Sequence, residues 1–189
     1  EPLFLFPSQV NFNKITLSKD ALMKYVGKYK SEDNGDIIIS TEEMRIYVEF
    51  VNGSTLEVFP FEKDKFFVTW LDGRNTEEKE GQERGAMTIR AAEVSSDGEV
   101  FNEALLDSRT CDCCQTTAAI TENGPVVIYR DRSDNEIRDI SIVRFVDGKW
   151  TSPKAIYNDN WKIKGCPVNG PKAAAVENTL AVVWFTEAD

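Results

Sequence analysis

A mainly β fold is predicted for this chain: a small α+β meander followed by about two blades of a β-propeller-like array. Three observations carry it. Short runs rich in β-branched and aromatic residues alternate with Gly, Asn and Asp turns along most of the chain. A single helical period occurs near the start. The strand end Val68-Thr69-Trp70 recurs as Val127-Ile128-Tyr129 and Val182-Val183-Trp184, at intervals of 59 and 55 residues, which suits one four-stranded blade with long loops per repeat.

Taken in order, residues 1–14 read as an extended lead-in, with Pro2 and Pro7 among apolar residues of no helical period. Ser18 is placed to cap a helix, and Leu17, Ala21, Leu22, Tyr25 and Val26 keep helical spacing until Gly27 ends it. Alternating strands are expected over 36–40, 44–51, 54–59 and 65–70, with Asn52-Gly53 as a hairpin turn. Residues 15–68 therefore form the small α+β module. Beyond it, strands are expected over 86–92, 100–106, 125–130, 137–145 and 149–151, with a last strand ending near Phe185, and the acidic stretch 77–83 reads as a solvated loop. Residues 69–189 form the partial propeller. They supply about two blades where a closed propeller needs at least four. A longer parent chain, self-association or packing against residues 15–68 would complete the array.

Two family resemblances attach to these stretches. The run Leu22-Met23-Lys24-Tyr25-Val26-Gly27-Lys28-Tyr29, followed by Ile46-Tyr47-Val48, Leu56-Glu57-Val58-Phe59-Pro60 and Lys65-Phe66-Phe67, resembles the small YVGxY domain of unknown function appended to β-lactamase-like serine hydrolases. The resemblance implies an accessory module with no active site of its own. Trp70-Leu71-Asp72-Gly73-Arg74, Asp107-Ser108-Arg109-Thr110-Cys111-Asp112-Cys113-Cys114-Gln115-Thr116, Tyr129-Arg130-Asp131-Arg132-Ser133, Asp147-Gly148-Lys149-Trp150 and Gly165-Cys166-Pro167-Val168-Asn169-Gly170-Pro171 resemble bacterial exported sialidase-like proteins, β-propellers of the BNR-repeat kind. This resemblance implies a fold. An Arg-Ile-Pro signature is absent and the two Asp-box-like strings, at 95–101 and 146–150, are degenerate, so no sialidase catalytic residue is carried over.

Composition narrows the chemistry. A net charge of −10 opposes binding to a nucleic-acid backbone or an anionic lipid surface. No apolar run approaches the ~20 residues of a membrane-spanning helix, so no transmembrane segment is expected. With no histidine, the commonest general base and metal ligand is missing, and chemistry falls to carboxylates, Tyr, Arg, Lys and Cys.

All four cysteines sit in two of the quoted words: Cys111, Cys113 and Cys114, and the distant Cys166. A bridge between neighbours strains the intervening peptide, so a disulfide is expected from one of the three to Cys166. A thiolate site for copper or zinc, and free or redox-active thiols, are the alternatives. An exported protein, periplasmic, outer-surface or secreted, is expected, with no signal peptide in this sequence.

The second cluster is charged. Asp72 and Arg74 follow one recurring strand and Arg130, Asp131 and Arg132 follow its equivalent, with Arg138 at the head of the next. Two readings stand: an ion-pair network tying blades together, or a pocket recognising a glycan or small anionic ligand, where Arg forks suit a carboxylate or sulfate. Glycoside hydrolysis by a carboxylate pair such as Asp72 and Asp131 is the enzymatic alternative. The recurring Trp70, Tyr129 and Trp184 are expected in the core, whereas Trp150 and Trp161 are open to stacking or packing roles.

Overall fold

The computed structural model describes residues 15–31, 35–51, 53, 55–62, 64–76 and 84–188. The expected lead-in, Asn52 of the expected hairpin turn and the acidic stretch 77–83 lie outside them. The fold is mainly β, in antiparallel sheets that do not close into a barrel.

One short helix, α1 (Lys19–Leu22), opens the described chain, and the Ser18 side chain caps it by accepting from the Ala21 backbone N–H. Seven strands then run as an unbroken meander: β1 (Gly27–Ser31), β2 (Gly35–Glu42), β3 (Arg45–Phe50), β4 (Thr55–Glu62), β5 (Lys65–Asp72), β6 (Thr88–Ser95) and β7 (Val100–Asp107), hydrogen-bonded in that order. β1 was not among the expected strands; Lys28-Tyr29-Lys30 is short and polar, and pairing with β2 draws it into the sheet. Gly53 adopts φ +81° at the β3–β4 turn, a conformation costly to side-chain-bearing residues. The boundary read at 68/69 falls inside β5, which pairs with β4 on one side and β6 on the other, so one sheet passes through it.

A second sheet contains β8 (Thr117–Thr121), β9 (Gly124–Arg130), β10 (Ile140–Val146) and β11 (Lys149–Trp150), with β12 (Lys154–Ala155) also on β10. A third, two-stranded sheet is the hairpin β13 (Lys172–Val176) and β14 (Thr179–Val183). The hairpins β8–β9 and β13–β14 are the repeated words read in the sequence.

Burial explains how the sheets stack. Successive side chains of a strand point to opposite faces, and β8 and β9 are buried throughout. Ala118, Ile120, Val127 and Tyr129 face Phe67, Ile89, Ala91 and Leu106 of the first sheet. Their neighbours Ala119, Val126 and Ile128 join Ile140 and Ile142 against Ala173, Ala175, Leu180, Val182 and Trp184. The second sheet is thus the middle layer between the other two, which is why its strands read as continuous apolar runs. Tyr129 is fully buried and Trp184 packs on the second of these clusters, as expected of recurring core positions. Trp150 stacks on Phe67 with ring centroids 5.8 Å apart and packs edge-on against Phe145, a packing role.

Candidate functional site

The four cysteines converge where the segment after β7 meets the long loop before β13. Backbone bonds put them there: the Thr110 N–H donates to the Met87 carbonyl at 2.8 Å and the Cys111 N–H to the Arg130 carbonyl at 3.0 Å, stitching the cysteine segment to both larger sheets. From the other side, the Gly170 N–H donates to Gln115 Oε1 at 3.2 Å. A Cβ at Gly170 would collide with the Gln115 carbonyl oxygen, so only glycine admits this approach.

Cys113 and Cys166 form a disulfide, one of the pairings left open by the sequence. Both are exposed, whereas Cys111 and Cys114 are free thiols, each 1% exposed. An exposed disulfide therefore covers a buried thiol pair. Cys111 Sγ lies 3.2 Å from Cys114 Sγ and 3.6 Å from Cys166 Sγ. All four sulfurs fall within 4.8 Å of one another.

Two buried arginines border the cluster. Arg138 Nη1 donates to Cys111 Sγ at 3.1 Å, and its Nη2 to Glu136 Oε2 at 2.7 Å. Its Nε is buried and has no hydrogen-bond partner among the described residues. Arg130 donates from Nε to the Asn169 carbonyl at 2.9 Å, from Nη1 to that of Arg138 at 2.6 Å and from Nη2 to that of Phe185 at 2.7 Å. Its guanidinium lies over the Trp161 ring, 4.9 Å from the centroid, which settles Trp161 as a buried packing partner.

The electrostatics separate the two thiols. The hydrogen bond with Cys114, reinforced by the Cys113 backbone N–H and Arg138 and opposed by burial, brings Cys111 down to about 5. The same bond, together with burial and the Cys111 charge, pushes Cys114 well up. Near neutral pH the pair is a Cys111 thiolate beside a Cys114 thiol, and the thiolate is the nucleophilic and metal-ligating form.

The charged residues form two groups, with no hydrogen bond or ion pair joining them among the described residues. Arg74 clasps Asp72 through Nε and Nη2 at 2.7–2.9 Å and also reaches Glu103, which bonds Arg90. Burial raises the Asp72 carboxyl, but bonds from the Arg74 side chain and backbone and from Trp70 outweigh it and hold the group at about 2. A carboxylate so held is a poor general acid. In the other group Arg132 pairs with Glu136 and Asp112, both at 3.0 Å. Asp131 accepts from the Arg132 N–H at 2.6 Å and from Ser141, and burial lifts its carboxyl to about 6. Arg130, Asp131, Arg132 and Arg138 thus gather on the cysteine side, whereas Asp72 and Arg74 stay with β5–β7. All six spend side-chain hydrogen bonds within the chain.

The contacts between Arg138 and Cys111 and between Gly170 and Gln115 were not legible from the sequence. The one available signal was that Cys111–Gln115 and Cys166–Gly170 share the same 55-residue offset as the repeated strands.

Among known proteins, residues 12–99 match the family model of a domain of unknown function (DUF3471). The match includes Tyr25-Val26-Gly27-Lys28-Tyr29 and ends just before β7, so the cysteine cluster lies outside it. No curated protein and no solved structure matches the chain.

Proposed function

We propose that the cysteine cluster is the functional centre: a thiol–disulfide redox site on the sialidase-like scaffold of an exported protein. The observation that carries this is the layering of an exposed Cys113–Cys166 disulfide over the buried thiols Cys111 and Cys114, with Arg138 bonded to Cys111. A purely structural cross-link needs two cysteines; here two free sulfurs stand within reach of it. Structural disulfides persist in oxidising compartments, which agrees with export.

The test is equilibration in graded reduced and oxidised glutathione buffers, followed by acid quenching, alkylation and mass determination. A redox centre opens and recloses Cys113–Cys166 within that range. A bond that stays closed below about −300 mV would be a structural one and would end this reading.

Soft-metal binding is a second reading, favoured by the mutual 4.8 Å limit on the four sulfurs. A tetrahedral zinc with four thiolates sets sulfurs about 3.8 Å apart, close to the 3.2 and 3.6 Å that separate Cys111 from Cys114 and Cys166. With the disulfide reduced, Cys111, Cys113, Cys114 and Cys166 are the ligands for zinc or copper(I), and elemental analysis of reduced, desalted protein checks it. For the glycan or anionic-ligand reading, and for hydrolysis by Asp72 and Asp131, the internal pairing of the charged residues favours the ion-pair network instead. Glycan-array binding abolished by Arg132→Ala, with the fold intact, would reverse that judgement.

A further inference from the structure

The redox reading leaves a question of sulfur geometry: what the buried pair adds to an exposed disulfide. Cys111 stands 3.6 Å from Cys166 Sγ and 3.2 Å from Cys114 Sγ, so it touches both the disulfide and the second thiol. Cys111-Asp112-Cys113-Cys114 also places Cys111 and Cys114 at Cys-x-x-Cys spacing, which permits a bridge between them, whereas the adjacent Cys113 and Cys114 bridge only with strain.

We infer that Cys111 is the hub of an internal disulfide relay that moves the bridge between the exposed pair Cys113/Cys166 and the buried pair Cys111/Cys114. This rests on the redox reading and assigns each sulfur a role within it.

The relay is two thiol–disulfide exchanges. In the first, the Cys111 thiolate attacks Cys166 Sγ. The Cys111–Cys166 bond forms, the Cys113–Cys166 bond breaks, and the electron pair leaves on Cys113, which is exposed and takes its proton from water. In the second, Cys114, once Cys111 is bridged and carries no charge, gives its proton to solvent and attacks Cys111 Sγ as the thiolate. The Cys111–Cys114 bond forms, the Cys111–Cys166 bond breaks, and Cys166 leaves as thiolate and is protonated by solvent. Two thiols and one disulfide enter and two thiols and one disulfide emerge, so no external oxidant or reductant is required. The buried Nη1 of Arg138, 3.1 Å from Cys111 Sγ, holds the attacking sulfur.

The consequence is a chain that presents either an oxidising disulfide or a reducing dithiol at its surface, with the other state stored inside. An external thiol meets the exposed pair alone. The buried pair sets how long the surface stays in one form.

The experiment uses the unreduced wild-type chain, equilibrated in thiol-free buffer, quenched in acid, unfolded, alkylated and sequenced by tandem mass spectrometry. The expected result is two populations, one alkylated at Cys111 and Cys114 and one at Cys113 and Cys166. In Cys111→Ser, alkylation of Cys113 and Cys166 falls to background; in Cys114→Ser the exchange stops at a Cys111–Cys166 bridge with Cys113 alkylated. Circular dichroism confirms that each variant is folded, and the wild-type result stands without them. If wild-type alkylation stays confined to Cys111 and Cys114, the relay is wrong. In that case a Cys113–Cys166 bond that still opens in glutathione buffers preserves the redox reading, and one that resists them removes both.

Discussion

Arg130 lies over Trp161 at 4.9 Å while its guanidinium bonds the backbone carbonyls of Asn169, Arg138 and Phe185. One side chain thereby joins the end of β9, the start of β10, the loop carrying Cys166 and the segment after β14. Arg130 is 1% exposed and its bond to the Arg138 carbonyl is buried, so its removal takes a buried partner from that carbonyl and cuts the ties to Asn169 and Phe185. Arg130→Met is expected to destabilise the fold by about 3–5 kcal/mol, and Arg130→Lys by nearly as much, because an ammonium cannot span three acceptors in a planar fork. Urea denaturation of both variants checks this.

Gly170 touches the Gln115 backbone where no Cβ fits. Gly170→Ala must push the Cys166 loop away from the Cys111–Cys114 segment, at a cost of about 1–3 kcal/mol. The specific expectation is faster alkylation of Cys111 and Cys114 in the folded state, since the loop that covers them is displaced. Unchanged thiol reactivity would mean that the loop shifts without opening the cluster.

The Cys113–Cys166 bridge spans 53 residues. In the chain-entropy account a loop of that length stabilises the folded state by about 4 kcal/mol. Cys113→Ser should lower stability by up to that amount, seen as a fall in Tm, and the same fall should follow reduction of the wild type. A much smaller change would show that packing of the sheets alone holds the two segments together.

Asp131 gives a pH signature. Burial raises its carboxyl from 3.8 to about 6. Between those values the folded chain keeps a proton that the unfolded chain has lost, so the stability contributed is full below about pH 3.8 and is lost as pH rises through about 6. Asp131→Asn removes this titration. Relative to wild type, the variant should gain on the order of 2–3 kcal/mol between pH 4 and pH 7.5. Urea midpoints of the two proteins at the two pH values measure it.

Arg74 is the contrasting case among the arginines. Its side chain is half exposed, and its partners Asp72 and Glu103 belong to β5 and β7, the strands on either side of β6. Arg74→Ala should leave the glutathione response of the cysteines unchanged, because no side-chain hydrogen bond or ion pair joins that network to them among the described residues, whereas Arg138→Ala should slow the opening of Cys113–Cys166. Equal effects of the two substitutions would indicate a general loosening of the fold.

The β character, the Ser18-capped helix and the repeated hairpins were legible in the sequence because they depend on local rules: side-chain alternation, capping and turn residues act over a few positions. The gathering of all four cysteines in two repeat-equivalent words also marked them as a centre, although matching places need not meet, since Asp72 and Arg74 stay apart from Arg130 and Arg132. What only the tertiary structure decided is which sulfur pairs with which, which sulfurs are exposed, and that the charged words divide into two networks. Those outcomes depend on distances of an ångström or two between segments some fifty residues apart in the chain, such as Cys113 and Cys166. The same limit explains β5. Its residues read as the end of one module and the start of another, but strand pairing is a through-space bond, and β4 and β6 claim both of its edges.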